Sequence, residues 1–154
     1  AQQEPELSKQ LGVVVLGSQA EQCKSLFPFP IYPMNYVSNE KELVDIYNAV
    51  DLYVTPSLQD NLPNTIVEAM ACGIPCVGFN VGGIPQMIDH LHNGYVAQYK
   101  SADDLANGIC WTLTEGDYET LSSEAYRKAV TTYSEATVAS QYIQIYNYIT
   151  GKNA

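Results

Sequence analysis

Two carboxylates, Asp60 and Glu68, stand with seven residues between them in PSLQDNLPNTIVEAMACGIPCV, residues 56–77, on either side of a proline. Pro63 suits the first position of a helix because its missing donor is not needed there. TIVEAMA then continues with good helix formers until Gly73 ends the run. Asp60 is therefore expected before the helix and Glu68 inside it. The amides near Asn61, Leu62, Asn64 and Thr65 have no intrahelical acceptor, so with the helix dipole they form a site for an anion such as a phosphate. Five residues of rise from Pro63 set Glu68 roughly 7 to 8 Å deeper. An elongated ligand could lay a pyrophosphate on the helix tip, with one polyhydroxylated end against Asp60 and another against Glu68, the layout of a nucleoside diphosphate sugar. The same residues have a plainer reading: Asp60 complements the N-terminus of the helix, and Glu68 is an ordinary helical residue.

The elements that must position this segment alternate between strands and helices, which predicts an α/β fold with a parallel, Rossmann-like sheet covered on both faces. LGVVVLG, residues 11–17, reads as a short buried strand. A helix is expected from Gln19 to Phe27, then a strand near Met34 to Val37. Asn39 caps the next helix, on which Leu43, Ile46, Tyr47 and Val50 recur at helical spacing. Strands follow at 51–56, at 75–79 and at 94–97, with a short helix near Pro85 to Asp89. Three helices finish the chain. The last, about 135–149 after a Ser134 cap, carries Val138, Tyr142, Ile145 and Ile149 on one stripe. Only the ends, AQQEPE and GKNA, look loose. In a doubly wound sheet ligands bind beyond the carboxyl ends of the strands, where residues 54–60 and 78–83 both emerge. Gly82 and Gly83 would allow either close approach of a ligand or a turn with positive φ.

A length of 154 residues suits one domain with an adequate core. The net charge of −10 argues against nucleic acid or an acidic membrane surface as the main partner, since both select for basic patches. A nucleotide ligand remains compatible, because the field at one helix tip can oppose the global charge once salt screens beyond about 10 Å. No apolar run is long enough to span a bilayer and no signal peptide is evident, so the chain reads as cytoplasmic. Cys23, Cys72, Cys76 and Cys110 lack paired spacing and read as buried free thiols rather than zinc ligands or disulfides. His90 and His92 lack a third ligand and read as surface histidines, so no metal is expected. Of the twelve tyrosines, Tyr47, Tyr142 and Tyr146 fall at helical positions that suit core or interface packing. Glu115, Asp117 and Glu119 read as a solvated linker.

At Asp60-x7-Glu68, and in YVSNEKELVDIYNAVDLYVTPS, EAMACGIPCVGFNVGG and GGIPQMIDHLHNGYVA around it, the chain resembles the donor-binding, C-terminal half of the retaining glycosyltransferases of family 4, of GT-B architecture. The likeness covers nearly the whole chain, and NLPNT looks most like bacterial surface-polysaccharide enzymes. It implies that Glu68 holds the ribose hydroxyls and Asp60 the hydroxyls of the donor sugar. The stretch Asn61, Leu62, Pro63, Asn64 and Thr65 would serve the phosphates and sugar oxygens, and Val37 and Ser38 would border the base. No cofactor and no metal are implied, the nucleotide-sugar being a substrate. The transferred sugar would go to a glycan or lipid-linked acceptor, and the acceptor-binding N-terminal half would be a separate domain that makes any contact with the inner face of the membrane. Three positions depart from the pattern. Asp60 is one methylene shorter than the usual Glu, Gln86 stands where Glu is common, and no Lys or Arg occurs from Glu42 to Tyr99. In the family an Arg and a Lys reach the pyrophosphate from a strand and loop that precede the point where this sequence begins. This fragment alone is thus expected to bind donor weakly and to be inactive. A free-standing nucleotide-binding or protein-interaction module is the alternative. A nucleotide-sugar epimerase of similar architecture fits GGIPQMID less well.

Overall fold

The computed structural model describes residues 5–151. It divides into two compact units, residues 1–51 and 52–154. The first holds a short helix α1 (Pro5–Ser8), strand β1 (Val13–Leu16), a 3-10 helix (Ala20–Ser25), strand β2 (Ile31–Met34) and helix α2 (Glu40–Asn48). β1 and β2 pair in parallel, Val13 opposite Ile31 and Leu16 opposite Met34. The Asn39 side chain caps α2 as expected, accepting from the amides of Lys41 (2.9 Å) and Glu42 (3.2 Å), which satisfies two of its four orphan donors. Tyr47 is buried, and Leu43, Ile46 and Val50 are half-buried.

Several expectations change in this unit. Residues 11–17 do not form a buried strand: β1 is half-exposed and Leu16 is solvent-facing, because its sheet contains a single partner strand. The expected helix at 19–27 is a tighter 3-10 turn of Ala20–Ser25, ended before the prolines. The strand expected at 34–37 lies at Ile31–Met34, where parallel pairing with β1 sets its ends. Pro5 and Glu6 belong to a helical turn rather than a loose end, while the remaining residues at 1–4 and 152–154 lie outside the described residues.

The second unit is built on a three-stranded parallel sheet in the order β3 (Tyr53–Thr55), β4 (Cys76–Phe79), β5 (Gly94–Ala97). Central β4 is buried along its full length. Helix α3 (Asn64–Ala71) crosses from β3 to β4, the short α4 (Ile84–Met87) from β4 to β5. Helices α5 (Ala102–Thr114), α6 (Tyr118–Tyr133) and α7 (Glu135–Ile149) follow. Ile66, Ala69 and Met70 of α3 are fully buried, and α3 packs on α6, which turns Leu121, Ala125 and Ala129 inward. Buried Asn93 closes the turn after α4, accepting from the Asp89 amide (2.8 Å) and donating to the Met87 carbonyl (3.3 Å). Lys128 of α6 reaches the Asp89 carboxylate at 2.7 Å.

The last helix has the expected bounds and Ser134 cap but a different environment. None of its residues is buried: of the expected stripe Val138 is half-buried and Tyr142, Ile145 and Ile149 are more than half exposed, as is Tyr146, expected with Tyr142 to suit core or interface packing. A 3.6-residue apolar period marks a face that can be covered; it does not supply the cover. Of the four thiols only Cys76 is buried, Cys23, Cys72 and Cys110 being partly exposed. Parallel sheets with helices make the fold Rossmann-like, as expected. Among the described residues no helix is long and apolar enough to cross a membrane.

Candidate functional site

β3 ends at buried Thr55, whose hydroxyl lies 3.1 Å from that of Ser57, and the chain then runs as an irregular loop to Pro63. Pro63 occupies the N-cap rather than the first helical position, with φ −65° and ψ 119°. Its ring satisfies the same φ in either place, and its extended ψ is what turns the loop into the helix. The ladder opens with the Ile66 amide donating to the Pro63 carbonyl at 3.1 Å, and helix geometry sets the amides of Asn64 and Thr65 ahead of it. At the other end Gly73, at φ 74°, forms a Schellman close: its amide donates to the Met70 carbonyl and that of Ile74 to the Ala69 carbonyl, both at 2.9 Å.

Asp60 therefore sits on the loop and Glu68 in the middle turn of α3, both half-buried, while Asn61, Leu62, Asn64 and Thr65 are exposed and Pro63 is buried. Beside the α3 tip stands a residue that sequence reasoning missed. The Tyr53 hydroxyl donates to Thr65 Oγ1 at 2.8 Å and lies within electrostatic reach of both Asp60 and Glu68. Burial pushes this hydroxyl above its ordinary range. The Thr65 hydrogen bond opposes the shift, and Cys76, Glu68 and Asp60 add to it. Burial raises the Cys72 thiol too, with Glu68 contributing. Only strand alternation could have hinted at Tyr53, and DLYVTP gives no reason to prefer one face.

The Gly82–Gly83 pair has a defined role. Gly82 has φ 55°, a Cβ there would overlap the Asp60 carbonyl oxygen, and one on Gly83 would overlap that of Asn61. The loop after β4 thus lies directly under the loop after β3, and the glycines are required by backbone contact within the protein. Tyr99, after β5, donates to the Leu58 carbonyl at 3.1 Å. The carboxyl ends of all three strands therefore converge on residues 58–62, as the crevice rule for parallel sheets demands. Val37 and Ser38 belong to the first unit, in the coil ahead of the Asn39 cap. His90 and His92 are exposed, His90 Nδ1 accepting from the Val96 amide at 3.1 Å. Among the described residues no three His, Cys, Asp or Glu are placed to share a metal ion. Chemically, the site offers helix-tip donors for an anion and two flanking carboxylates for hydroxyls.

Comparison with known proteins places this geometry in a lineage. Residues 2–115 match the family model described as glycosyl transferases group 1. Over 146 residues the chain is 26% identical to the N,N'-diacetylbacillosaminyl-diphospho-undecaprenol alpha-1,3-N-acetylgalactosaminyltransferase of Campylobacter jejuni, covering 93% of this chain and 39% of that one. Among solved structures it superposes on sucrose-phosphate synthase of Thermosynechococcus elongatus (TM-score 0.77, 21% identity, 94% of this chain and 39% of that one). It also superposes on Anabaena HepE in complex with UDP-glucose (TM-score 0.73, 21% identity, 90% of this chain and 41% of that one). The chain spans well under half the length of each. The family match and the GT-B glycosyltransferase fold it shares with these structures lead to one conclusion: the chain belongs to the glycosyl transferases group 1 family.

Proposed function

We propose that this chain is the donor-binding half of a retaining glycosyltransferase that moves a sugar from a nucleotide-sugar to a glycan or lipid-linked acceptor. The observation that carries the reading is the grouping of Asp60, the α3 tip and Glu68 near the Tyr53 hydroxyl, on the loop and helix that follow the carboxyl end of β3. The site suits the donor in order along α3: sugar hydroxyls at Asp60, phosphates at the amides of Asn61, Leu62, Asn64 and Thr65, and ribose hydroxyls at Glu68. Charge accumulates on the departing diphosphate in the transition state, and preorganised amides aimed there stabilise it without reorganising. Carboxylates that fix the hydroxyls hold the anomeric carbon for an acceptor approaching on the same face as the departing diphosphate. No protein nucleophile is needed from this half if the leaving phosphate takes the acceptor proton. The acceptor would be held by a separate domain, and the protein would work in the cytoplasm, at most peripheral to the membrane. The UDP-glucose bound by HepE and the undecaprenol-linked substrate in the name of the Campylobacter enzyme support the donor and acceptor classes.

Calorimetric titration with UDP, GDP and ADP and their glucose or mannose conjugates tests this. One nucleotide should saturate the wild type, and Glu68→Ala should lose at least about tenfold in affinity, the worth of a charged hydrogen-bond acceptor, with its unfolding midpoint unchanged. Undiminished affinity in the variant would sink the assignment. A second reading, a nucleotide-binding module without transferase activity, draws on Asp60 in place of Glu and on the absence of Lys and Arg between Lys41 and Lys100. Product formation by a protein containing this chain and an acceptor domain, with the anomeric configuration read by NMR, separates the two.

A further inference from the structure

We infer that Tyr99 is a positioning residue for the sugar end of the donor site, tying down the loop that carries Asp60 while leaving the helix that carries Glu68 untouched; this rests on the donor-site reading above. The two carboxylates differ in how they are held. Glu68 rides on a helix anchored by fully buried Ile66, Ala69 and Met70. Asp60 lies on a loop without regular hydrogen bonding, flanked by Leu58 and Leu62, each about half exposed at 49% and 47%. A carboxylate on such a loop keeps a productive position only if something outside the loop fixes the backbone.

Two supports do so. From below, the Gly82–Gly83 backbone fills the space under the Asp60 and Asn61 carbonyls. From the side, the Tyr99 hydroxyl donates to the Leu58 carbonyl at 3.1 Å, a tie across 41 positions of chain. The turn that bears Tyr99 is itself fixed. The Asp104 carboxylate accepts from the Gln98 amide at 2.6 Å and from the Tyr95 hydroxyl at 2.9 Å, and the Ser101 amide donates to the Gln98 carbonyl at 3.0 Å. Lys100, held at φ 62°, sets its ammonium 5.0 Å over the Tyr99 ring. A hydrogen-bonded chain thus runs from α5 through the 98–101 turn to the loop two residues before Asp60. It does not include α3.

Tyr99→Phe removes one hydroxyl and keeps the ring. Loosening the loop should speed chymotryptic cleavage after Leu58 by about threefold to tenfold, the range one hydrogen bond is worth. The gain in affinity on going from nucleotide to nucleotide-sugar should shrink by a similar factor. Affinity for the nucleotide alone should fall by less, because Glu68 and the amides of Asn64 and Thr65 lie on the helix and only the Asn61 and Leu62 amides share the loop. The probes are UDP with UDP-glucose, GDP with GDP-mannose and ADP with ADP-glucose. Unchanged loop cleavage, an unchanged sugar increment, or equal weakening of nucleotide and nucleotide-sugar each overturns the inference. Where Glu68→Ala abolishes binding and Tyr99→Phe does nothing, only the role of Tyr99 falls. Where Glu68→Ala keeps its affinity, or no probe binds the wild type, the donor-site reading falls and takes this role with it.

Discussion

Strands β1 and β4 read alike as text, VVVL and CVGF, yet one is half-exposed and the other buried at every residue. β4 has a strand on each side and the helix-rich second unit over its faces, whereas β1 has one strand beside it. Burial is thus a property of the layers around a strand and not of its composition, and the two units should differ in how much each residue contributes to stability. The second unit, with the fully buried strand, is also the one that holds the carboxylate pair.

The largest test of this contrast is a pair of truncations. Ile66→Ala, at a fully buried position, should cost about 2 to 5 kcal/mol in urea unfolding followed by the single tryptophan, Trp111. Val14→Ala on half-exposed β1 should cost about 1 kcal/mol or less, read by hydrogen exchange of β1 amides. Equal costs would erase the distinction. Next come two glycines with positive φ. Gly82→Ala must pay about 1 to 2 kcal/mol for a left-handed backbone and must also displace the Asp60 carbonyl. Gly17→Ala, at φ 130° with nothing within 4 Å of a new Cβ, meets backbone strain alone. The former should therefore lower the thermal midpoint more and, unlike the latter, weaken nucleotide-sugar binding.

Smaller effects distinguish the caps. Asn39→Ala should destabilise the first unit by about 1 kcal/mol with no acid dependence, since an amide cap does not titrate. Asp117 caps α6 through the Thr120 side chain and amide, which hold its carboxyl below the usual value. A folded-state value below the unfolded one means that stability is present in full above the unfolded value near 3.8 and is lost as pH falls through the lowered folded one. Acid unfolding of wild type beside Asp117→Asn should therefore diverge only above that window, and identical profiles would remove Asp117 from the balance.

Sites where chemistry is local were legible. Asn39, Ser134 and Gly73 act at chain distances of a few residues, so their caps follow from side-chain type alone. The loop-then-helix setting of Asp60 and Glu68 was equally local, displaced by one residue at Pro63 because proline fits both the N-cap and the first turn. What failed was of another kind. The 3-10 form of Ala20–Ser25 was not written in a helical period, and the exposure of β1 depends on what lies beside the strand. The supports of the candidate site were invisible for the same reason: Tyr53 lies twelve positions from Thr65, and Tyr99 lies 41 from Leu58.

By itself the sequence determined the alternation of strands and helices, the caps at Asn39, Ser134 and Gly73, the acidic balance and the spacing of Asp60 and Glu68, because each is written in the chain itself or rests on interactions within a turn or two of it. Only the tertiary structure decided that β4 is central, that Gly82 and Gly83 serve as a seat for the Asp60 loop, that Tyr99 meets that loop and that Tyr53 meets Thr65 of α3. Those facts depend on which distant backbones approach within contact distance, and close packing settles that only when the whole sheet has formed.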